Sequence, residues 1–416
     1  MPRAAASGPG LSPAAAYEQW IDACAAAGWR GTLAAEERPV PDGLGRVTAV
    51  PVRARWPAPR SACAAMDGIA IKAGPADPAG RWQLAAASFT WVDTGDLIPA
   101  GMDTVVERER VRLRADGSAQ ITGPAPRGLN VRAAGEDFPA GELLIPAGHR
   151  LRPADLAAAA AAGYATLAVA RRPVAAIIPT GDEIRPVGSA LGPGDITDSN
   201  SLMLASRAAE TGARPLVSDV QPDDPDAITS EIRRAAADIV LVIAGSSAGR
   251  GDHTAAVMAG AGGLAVRGVA VRPGHPVLLG YVQPDGARAG PGATAVPMIG
   301  IPGYPLAAAV IFELFAVPLL TAIQGTSPAD RVRQRAQLAC DWTSPPDVED
   351  WVPVSLTPAA AGQHCDRPVV ATPGRRGAGS ISTLMRAHAW WPIPIGQGRF
   401  ARGEHIDVRP VPGGPP

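Results

Sequence analysis

The run Ile239-Val240-Leu241-Val242-Ile243 constrains this chain most. Consecutive apolar residues that are mostly β-branched read as a strand covered on both faces, as inside a parallel sheet. Ala244-Gly245-Ser246-Ser247-Ala248-Gly249 follows as a loop of small residues, and then a helix start with Asp252 or Thr254 as caps. Strand, glycine-rich turn and helix N-terminus point backbone N–H groups at one spot and favour an anion there. In an open α/β sheet that spot lies at the carboxyl ends of the strands, where ligands bind. A carboxylate at Asp252 makes sense beside an anion if a divalent cation lies between them. An ordinary strand-to-helix turn with a capping aspartate reads equally well from this stretch alone.

A chain of 416 residues exceeds one hydrophobic core, since cores stop growing at about 250–300 residues, so two to four domains are expected. Hydrophobic residues at 46% and charged residues at 19% mark a globular protein with an ample core. A net charge of −1 gives no support for a nucleic-acid-binding surface. Lys72 stands alone among arginines, which fits a GC-rich coding bias. Cys24, Cys63, Cys340 and Cys365 are too scattered for a zinc site or a disulfide framework and read as buried thiols. Met1 to Pro13 lacks the basic start and apolar run of a signal peptide, and Leu156 to Ala162 is too short to span a bilayer. A cytoplasmic protein without a membrane partner is expected.

Texture divides the chain. Residues 1–13 read as a disordered leader, and Ala14 to Gly28 as a helix with Tyr17, Trp20, Ile21 and Cys24 on one face. Residues 53–127 alternate short apolar stretches with Pro, Gly and Asp, as in a small β domain, where Thr104-Val105-Val106 and Val111-Arg112-Leu113 are placed to form a hairpin. Residues 128–172 change texture, with a short strand before Gly148 and a helix from Pro153. From 173 to 325 strands and helices alternate, the mark of a doubly wound α/β unit. A loop is expected at Gln283 to Ala295, and a very apolar helix at Leu306 to Leu320. Residues 326–410 return to β texture and a loose tail follows.

Carboxylates recur where α/β loops should be. Glu183 follows the first strand, Asp223 and Asp224 the second, and Asp252 the third, so they can converge at one sheet edge. One of Asp223 and Asp224 should cap the helix at Pro225, leaving the other for the site. Asp198 in Thr197-Asp198-Ser199-Asn200 reads as a cap or a ligand. Three converging carboxylates repel one another unless cations compensate. Arg272 and His275 in Val271-Arg272-Pro273-Gly274-His275-Pro276 offer positive charge for an anion. Met66-Asp67-Gly68 and Asp93-Thr94-Gly95-Asp96 are turn-like by composition. HExxH, GxSxG and Walker A patterns are absent, so zinc proteolysis, serine hydrolysis and P-loop ATP hydrolysis are unsupported.

Ser61-Ala62-Cys63-Ala64-Ala65-Met66-Asp67-Gly68-Ile69-Ala70 resembles the signature of the molybdopterin molybdotransferases, the MoeA and gephyrin E-domain family. Further matches follow in family order. They are Asp93-Thr94-Gly95 to Val106, Asn130-Val131-Arg132 to Asp137, Thr180-Gly181-Asp182-Glu183, Asp198-Ser199-Asn200, Pro222-Asp223-Asp224-Pro225 and Gly300-Ile301-Pro302-Gly303-Tyr304-Pro305. The resemblance spans roughly residues 14–410. It implies a multidomain α/β plus β fold: a discontinuous linker and dimerisation domain (14–52 and 128–172), an inserted small β domain (53–127), a doubly wound α/β molybdopterin-binding domain (173–325) and a C-terminal β-barrel (326–410). It also implies a homodimer that converts adenylylated molybdopterin and molybdate to molybdenum cofactor, with Mg²⁺-assisted release of AMP. Matched to the motifs, Asp67, Thr94, Asp137, Glu183 and Asp252 would be catalytic. Gly245, Ser246, Ser247, Gly249, Asp223, Arg272, His275, Pro302 and Pro305 would bind substrate. Glu183, Asp223 and Asp252 would hold the metal. The α/β site of one subunit would meet the Asp67/Thr94/Asp137 region of the other.

Three positions depart from the pattern. The Gly-Ser-Ser-Ala-Gly loop stands for Gly-Gly-Val-Ser-Val-Gly and resembles a branch that often carries an extra C-terminal domain, which a chain ending at Pro416 would lack. Arg272 and His275 stand at the two lysines of the family's Lys-Pro-Gly-Lys-Pro, and Pro353 falls where the family has an arginine. An imidazole in place of a fixed charge would make anion affinity pH-dependent. These departures keep a rival reading open, a non-catalytic relative that binds pterin or finished cofactor as a carrier or regulatory module.

Overall fold

The structure is a computed structural model that describes residues 10–74, 81–244, 251–283, 295–326, 333–358 and 369–411, with residues 251 and 252 in backbone only. The loop Gly245 to Gly249, Cys365 and most of the 283–295 segment lie outside the described residues. The chain divides into two units, Ala35–Ala170 and the remainder.

In the unit Ala35–Ala170, the first strand (Ala35–Pro39) pairs antiparallel with the last (Thr166–Ala170). Between them Gly68–Ile71 is the centre of one three-stranded sheet, flanked by Phe89–Val92 and Thr104–Glu107. Gly68 is required there: a Cβ would stand 1.9 Å from the Val106 carbonyl oxygen. Val111–Leu113 goes instead to a second sheet, beside Ala119–Thr122. The expected hairpin of Thr104–Val106 with Val111–Leu113 therefore does not form. The turn Arg108–Arg110 carries the chain from one sheet to the other.

In the other unit, a helix α1 (Pro13–Ala26) precedes the α/β succession β1 (Val174–Pro179), α2 (Ser199–Glu210), β2 (Arg214–Val217), α3 (Pro225–Arg234), β3 (Ile239–Ala244), α4 (Gly251–Ala261), β4 (Gly262–Arg267), β5 (Leu278–Val282), β6 (Val296–Pro302) and α5 (Pro305–Ile323). The sheet order is β2-β1-β3-β6-β5-β4. Its first four strands are parallel, while β5 runs antiparallel to β6, and β4 antiparallel to β5. Alternation along the buried strands divides the core between the two faces: Ile239, Leu241 and Ile243 face one cluster, Val240 and Val242 the other. That is why β3 reads as an unbroken apolar run.

Residues 14–34, which the family resemblance groups with the linker and dimerisation domain, pack on this sheet. Trp20 donates its indole N–H to the Gly280 carbonyl (2.6 Å) and its ring meets Phe315 edge-on. Of the expected leader, Gly10 onward is described, and the Leu11 carbonyl accepts from the Ala270 amide. Helix α5 is long and apolar enough to cross a membrane, but most of it is buried in this core. Its ladder loosens into a π turn at Phe312–Ala316, just before Pro318, and buried Glu313 pairs there with Arg207 of α2 (2.5 Å). Cys24 and Cys63 are buried as expected; Cys340 is exposed, on a turn after a strand end.

The C-terminal strands β7 (Gln334–Leu338), β8 (Glu349–Pro358), β9 (Val369–Pro373), β10 (Ala389–Ile393) and β11 (His405–Pro410) close in the ring β8-β9-β7-β11-β10-β8. Closure removes the edges of the sheet. Val352, Val354, Trp391 and Ile393 point inward. Trp351 and Trp390, one residue out of phase, point outward and join the α/β core.

Candidate active site at the carboxyl edge of the sheet

Strand directions decide which residues can meet. β1 lies between β2 and β3, so the chain leaves it in opposite directions and opens a crevice at the carboxyl ends. Thr180 pins that crevice by donating both its amide and its hydroxyl to the Ile243 carbonyl (3.0 and 2.9 Å). β4 points the same way as β6 because two antiparallel steps separate them. The β4–β5 connection therefore lies on the same edge.

The acidic flank forms at β1 and β2. A cavity of about 340 Å³ is lined by Thr180, Asp182, Glu183, Asp223, His253 and Thr254, among others. Gly181 has φ +136°, which turns the chain sharply enough that Glu183 Oε2 folds to 3.0 Å from where a Cβ at residue 181 would stand. The Glu183 carbonyl accepts from the Ile196 amide, fixing the loop's other side (2.8 Å). The Asp223 amide donates to Asp182 Oδ1 (3.2 Å), tying the two loops together. Asp224 caps α3 by accepting from the Asp226 amide, so Asp223 is the member of that pair that lines the cavity. Asp198 caps α2. Glu183 and Asp223 thus converge, joined by Asp182 and His253, which the sequence did not single out. Asp252 lies in the first turn of α4, which starts at Gly251, so neither it nor Thr254 is the cap; the Asp252 side chain and Gly245, Ser246, Ser247 and Gly249 lie outside the described residues.

The basic flank forms at β5 and β4. A second cavity, about 360 Å³, shares Ala244 and Thr254 with the first and is lined further by Arg267, Gly268, His275 and Pro302. His275 Nδ1 lies 2.7 Å from the Val269 carbonyl. A carbonyl only accepts, so Nδ1 carries a proton and Nε2 is the ring nitrogen left for a ligand. A cleft of about 440 Å³ opens between the α/β domain and the barrel, lined by Arg272, His275, Trp342, Pro353, Arg375 and Arg376. The Arg376 guanidinium stacks 4.3 Å over the Trp342 ring. Thus where Pro353 brings no charge, the loop after β9 brings two arginines into the same cleft. The Leu306 amide donates to the Ala378 carbonyl and fixes that loop against the start of α5 (2.9 Å). Pro302 ends β6, and Pro305 opens α5, where its missing N–H leaves nothing unsatisfied. Asn200 donates to the Gly303 carbonyl between them (2.6 Å).

In the unit Ala35–Ala170, the exposed Asp67 carboxylate accepts from both the amide and the hydroxyl of Thr94 (2.7 Å each). The hydroxyl and the amide of Thr94 hold the Asp67 carboxyl below its usual range. Asp137 is exposed, and its amide donates to the Ala58 carbonyl.

Comparison with known proteins matches this architecture segment by segment. Residues 11–163 match the MoeA N-terminal region (domain I and II), residues 176–322 a "Probable molybdopterin binding domain", and residues 335–411 the MoeA C-terminal region (domain IV). A molybdopterin molybdenumtransferase of Nostoc sp. is 28% identical over 395 residues, covering 88% of this chain and 87% of that protein. Molybdopterin molybdenumtransferase 2 of Mycobacterium tuberculosis is 30% identical over 308 residues, 68% of this chain and 73% of that protein. The crystal structure of a molybdopterin biosynthesis MoeA protein from Pyrococcus horikosii superposes with a TM-score of 0.78 at 27% identity, covering 96% of this chain and 98% of that one. The chain belongs to the MoeA family of molybdopterin molybdenumtransferases.

Proposed function

We propose that this protein inserts molybdate into adenylylated molybdopterin, releasing AMP and completing molybdenum cofactor synthesis. The observation that carries the reading is the pairing of an acidic cavity and a basic cavity that share a wall at the crevice of one sheet. A pterin nucleotide has a diphosphate to bring to the crevice where the two meet, and molybdate meets positive charge at Arg272 in the neighbouring cleft. The carrier reading needs only a pterin pocket and gives no reason for the converging carboxylates.

Among the described residues, no three His, Cys, Asp or Glu side chains form a ready-made cation site. Magnesium keeps several waters and binds through one or two carboxylates together with substrate phosphates. Glu183, Asp223 and Asp252 would hold it, and their hard oxygen donors suit it. When bound, Mg²⁺ would offset charge on the diphosphate and polarise its oxygens. The protein's own residues do the rest. Asp182 holds the Asp223 loop in place, Thr180 ties the end of β1 to β3, and Arg272 with the loop of Arg375 and Arg376 draws molybdate into the cleft between domains. Arginine suits a tetrahedral oxyanion because its guanidinium presents two parallel donors. We include in this reading a homodimer at work in the cytoplasm, with Asp67, Thr94 and Asp137 contributing to turnover.

The test is a reconstituted assay with adenylylated molybdopterin, Mg²⁺ and molybdate. AMP should appear together with active cofactor. Tight pterin binding without AMP release would favour the carrier reading. Asp252→Ala should abolish turnover, and unchanged turnover would remove its role.

A further inference from the structure

Arg267 is picked out by neither motif nor spacing, yet the fold places it in the site. It is the last residue of β4, the outermost strand, and emerges at the ligand-bearing edge only because β4 points the same way as β6. The pairing of β4 with β5 slips by one residue between Leu264 and Val266, so Ala265 has no partner opposite it. Because side chains alternate, that bulge decides which face each following residue takes. With it, Val266 enters the core, and Arg267 is exposed and lines the second cavity beside Gly268, His275 and Pro302. An arginine along a bare strand edge would be ordinary protection against edge pairing. Arg267 differs in standing at the strand's end, inside a cavity whose other wall belongs to the acidic flank.

We propose that Arg267 binds a phosphate group of the pterin nucleotide, gripping the diphosphate from the side opposite Glu183 and Asp223. This rests on the function proposed above. A carboxylate-lined cavity repels an anionic substrate, so the substrate needs positive charge on both sides: a cation among the carboxylates and a fixed guanidinium across from them. The guanidinium takes two phosphate oxygens at once, which an ammonium cannot. His275, with Nδ1 committed to the Val269 carbonyl, offers Nε2 beside it.

Molybdate shares the tetrahedral oxyanion chemistry, so the experiment has two arms. Binding of ADP with Mg²⁺, and separately of tungstate, is measured by calorimetry on the whole chain, as wild type, Arg267→Lys and Arg267→Ala. Arg267 is exposed, and unchanged thermal unfolding of each variant checks that the fold is intact. Arg267→Ala should weaken ADP binding by about 10- to 100-fold, Arg267→Lys by less, and tungstate should bind each chain equally. Unchanged ADP affinity in Arg267→Ala, a loss confined to tungstate, or no ADP binding by the wild type would each overturn the assignment. The readout needs no turnover. ADP binding that depends on Arg267 in a chain that releases no AMP would sink the proposed function and leave Arg267 in place.

Discussion

The acidic and basic flanks of the sheet edge are built by opposite means. On the acidic side, Glu183 and Asp223 follow parallel strands, and their loops are tied by backbone hydrogen bonds at Gln221 and Ile196 and by the Asp182 carboxylate. On the basic side, Arg267 and His275 come from an antiparallel pair, while Arg375 and Arg376 arrive from a barrel about a hundred residues later. Carboxylates proposed to hold a small cation need tight placement, and loops on buried parallel strands provide it. Oxyanion capture tolerates looser geometry, because Coulomb attraction falls off gradually with distance. On the function proposed above the labour divides, a cation held on one flank and anions captured on the other, with Arg267 taking phosphate and Arg272 molybdate.

Substitutions can break that division. Glu183→Gln keeps the shape and removes the charge, so it should lower kcat by about 100- to 1000-fold with little change in KM for molybdate; steady-state AMP release would show it. A rise in KM alone would move Glu183 to the capture side. Arg272→Ala should act in reverse, raising KM for molybdate by about tenfold or more with kcat nearly kept, and the loss should shrink in high salt. Arg272→Lys should restore part of it. Smallest of all should be the effect on either flank of Asp155→Asn, a residue of the unit Ala35–Ala170. Hydrogen bonds from Arg152 hold the Asp155 carboxyl well below the usual carboxylate range, with His149 adding to them. A folded value below the unfolded one of about 3.9 gives stability that is present above that pH and is lost as pH falls further. Asp155→Asn should therefore cost about 2 kcal/mol at pH 7 and progressively less below about pH 4, read by thermal unfolding, with both KM and kcat unmoved.

Much of the acidic flank was legible in the sequence because each of its residues stands next to a feature with its own signal. β3 announces itself as an apolar run, and Pro225 at the first turn of α3 follows the aspartate that caps the helix, leaving its neighbour Asp223 to line the cavity. The basic flank was less so. Arg272 and His275 stood in a motif, but Arg267 acquires meaning only from strand order, direction and a bulge, none of which a single strand records. Arg375 and Arg376 needed the barrel's closure against the α/β domain. The same limit explains α1, whose apolar face was clear while its partner, the Gly280 carbonyl 260 residues away, was not. It also explains the hairpin that does not form: two strands close in sequence carry no mark of belonging to different sheets.

One crossed binding experiment puts the two-flank claim at greatest risk. Mg²⁺-dependent ADP binding and molybdate binding would be measured side by side in wild type, Glu183→Gln and Arg272→Ala. The account predicts that Glu183→Gln weakens the first and spares the second, and that Arg272→Ala does the opposite. If each substitution weakened both ligands to the same extent, the flanks would be one undivided site and the account would be contradicted.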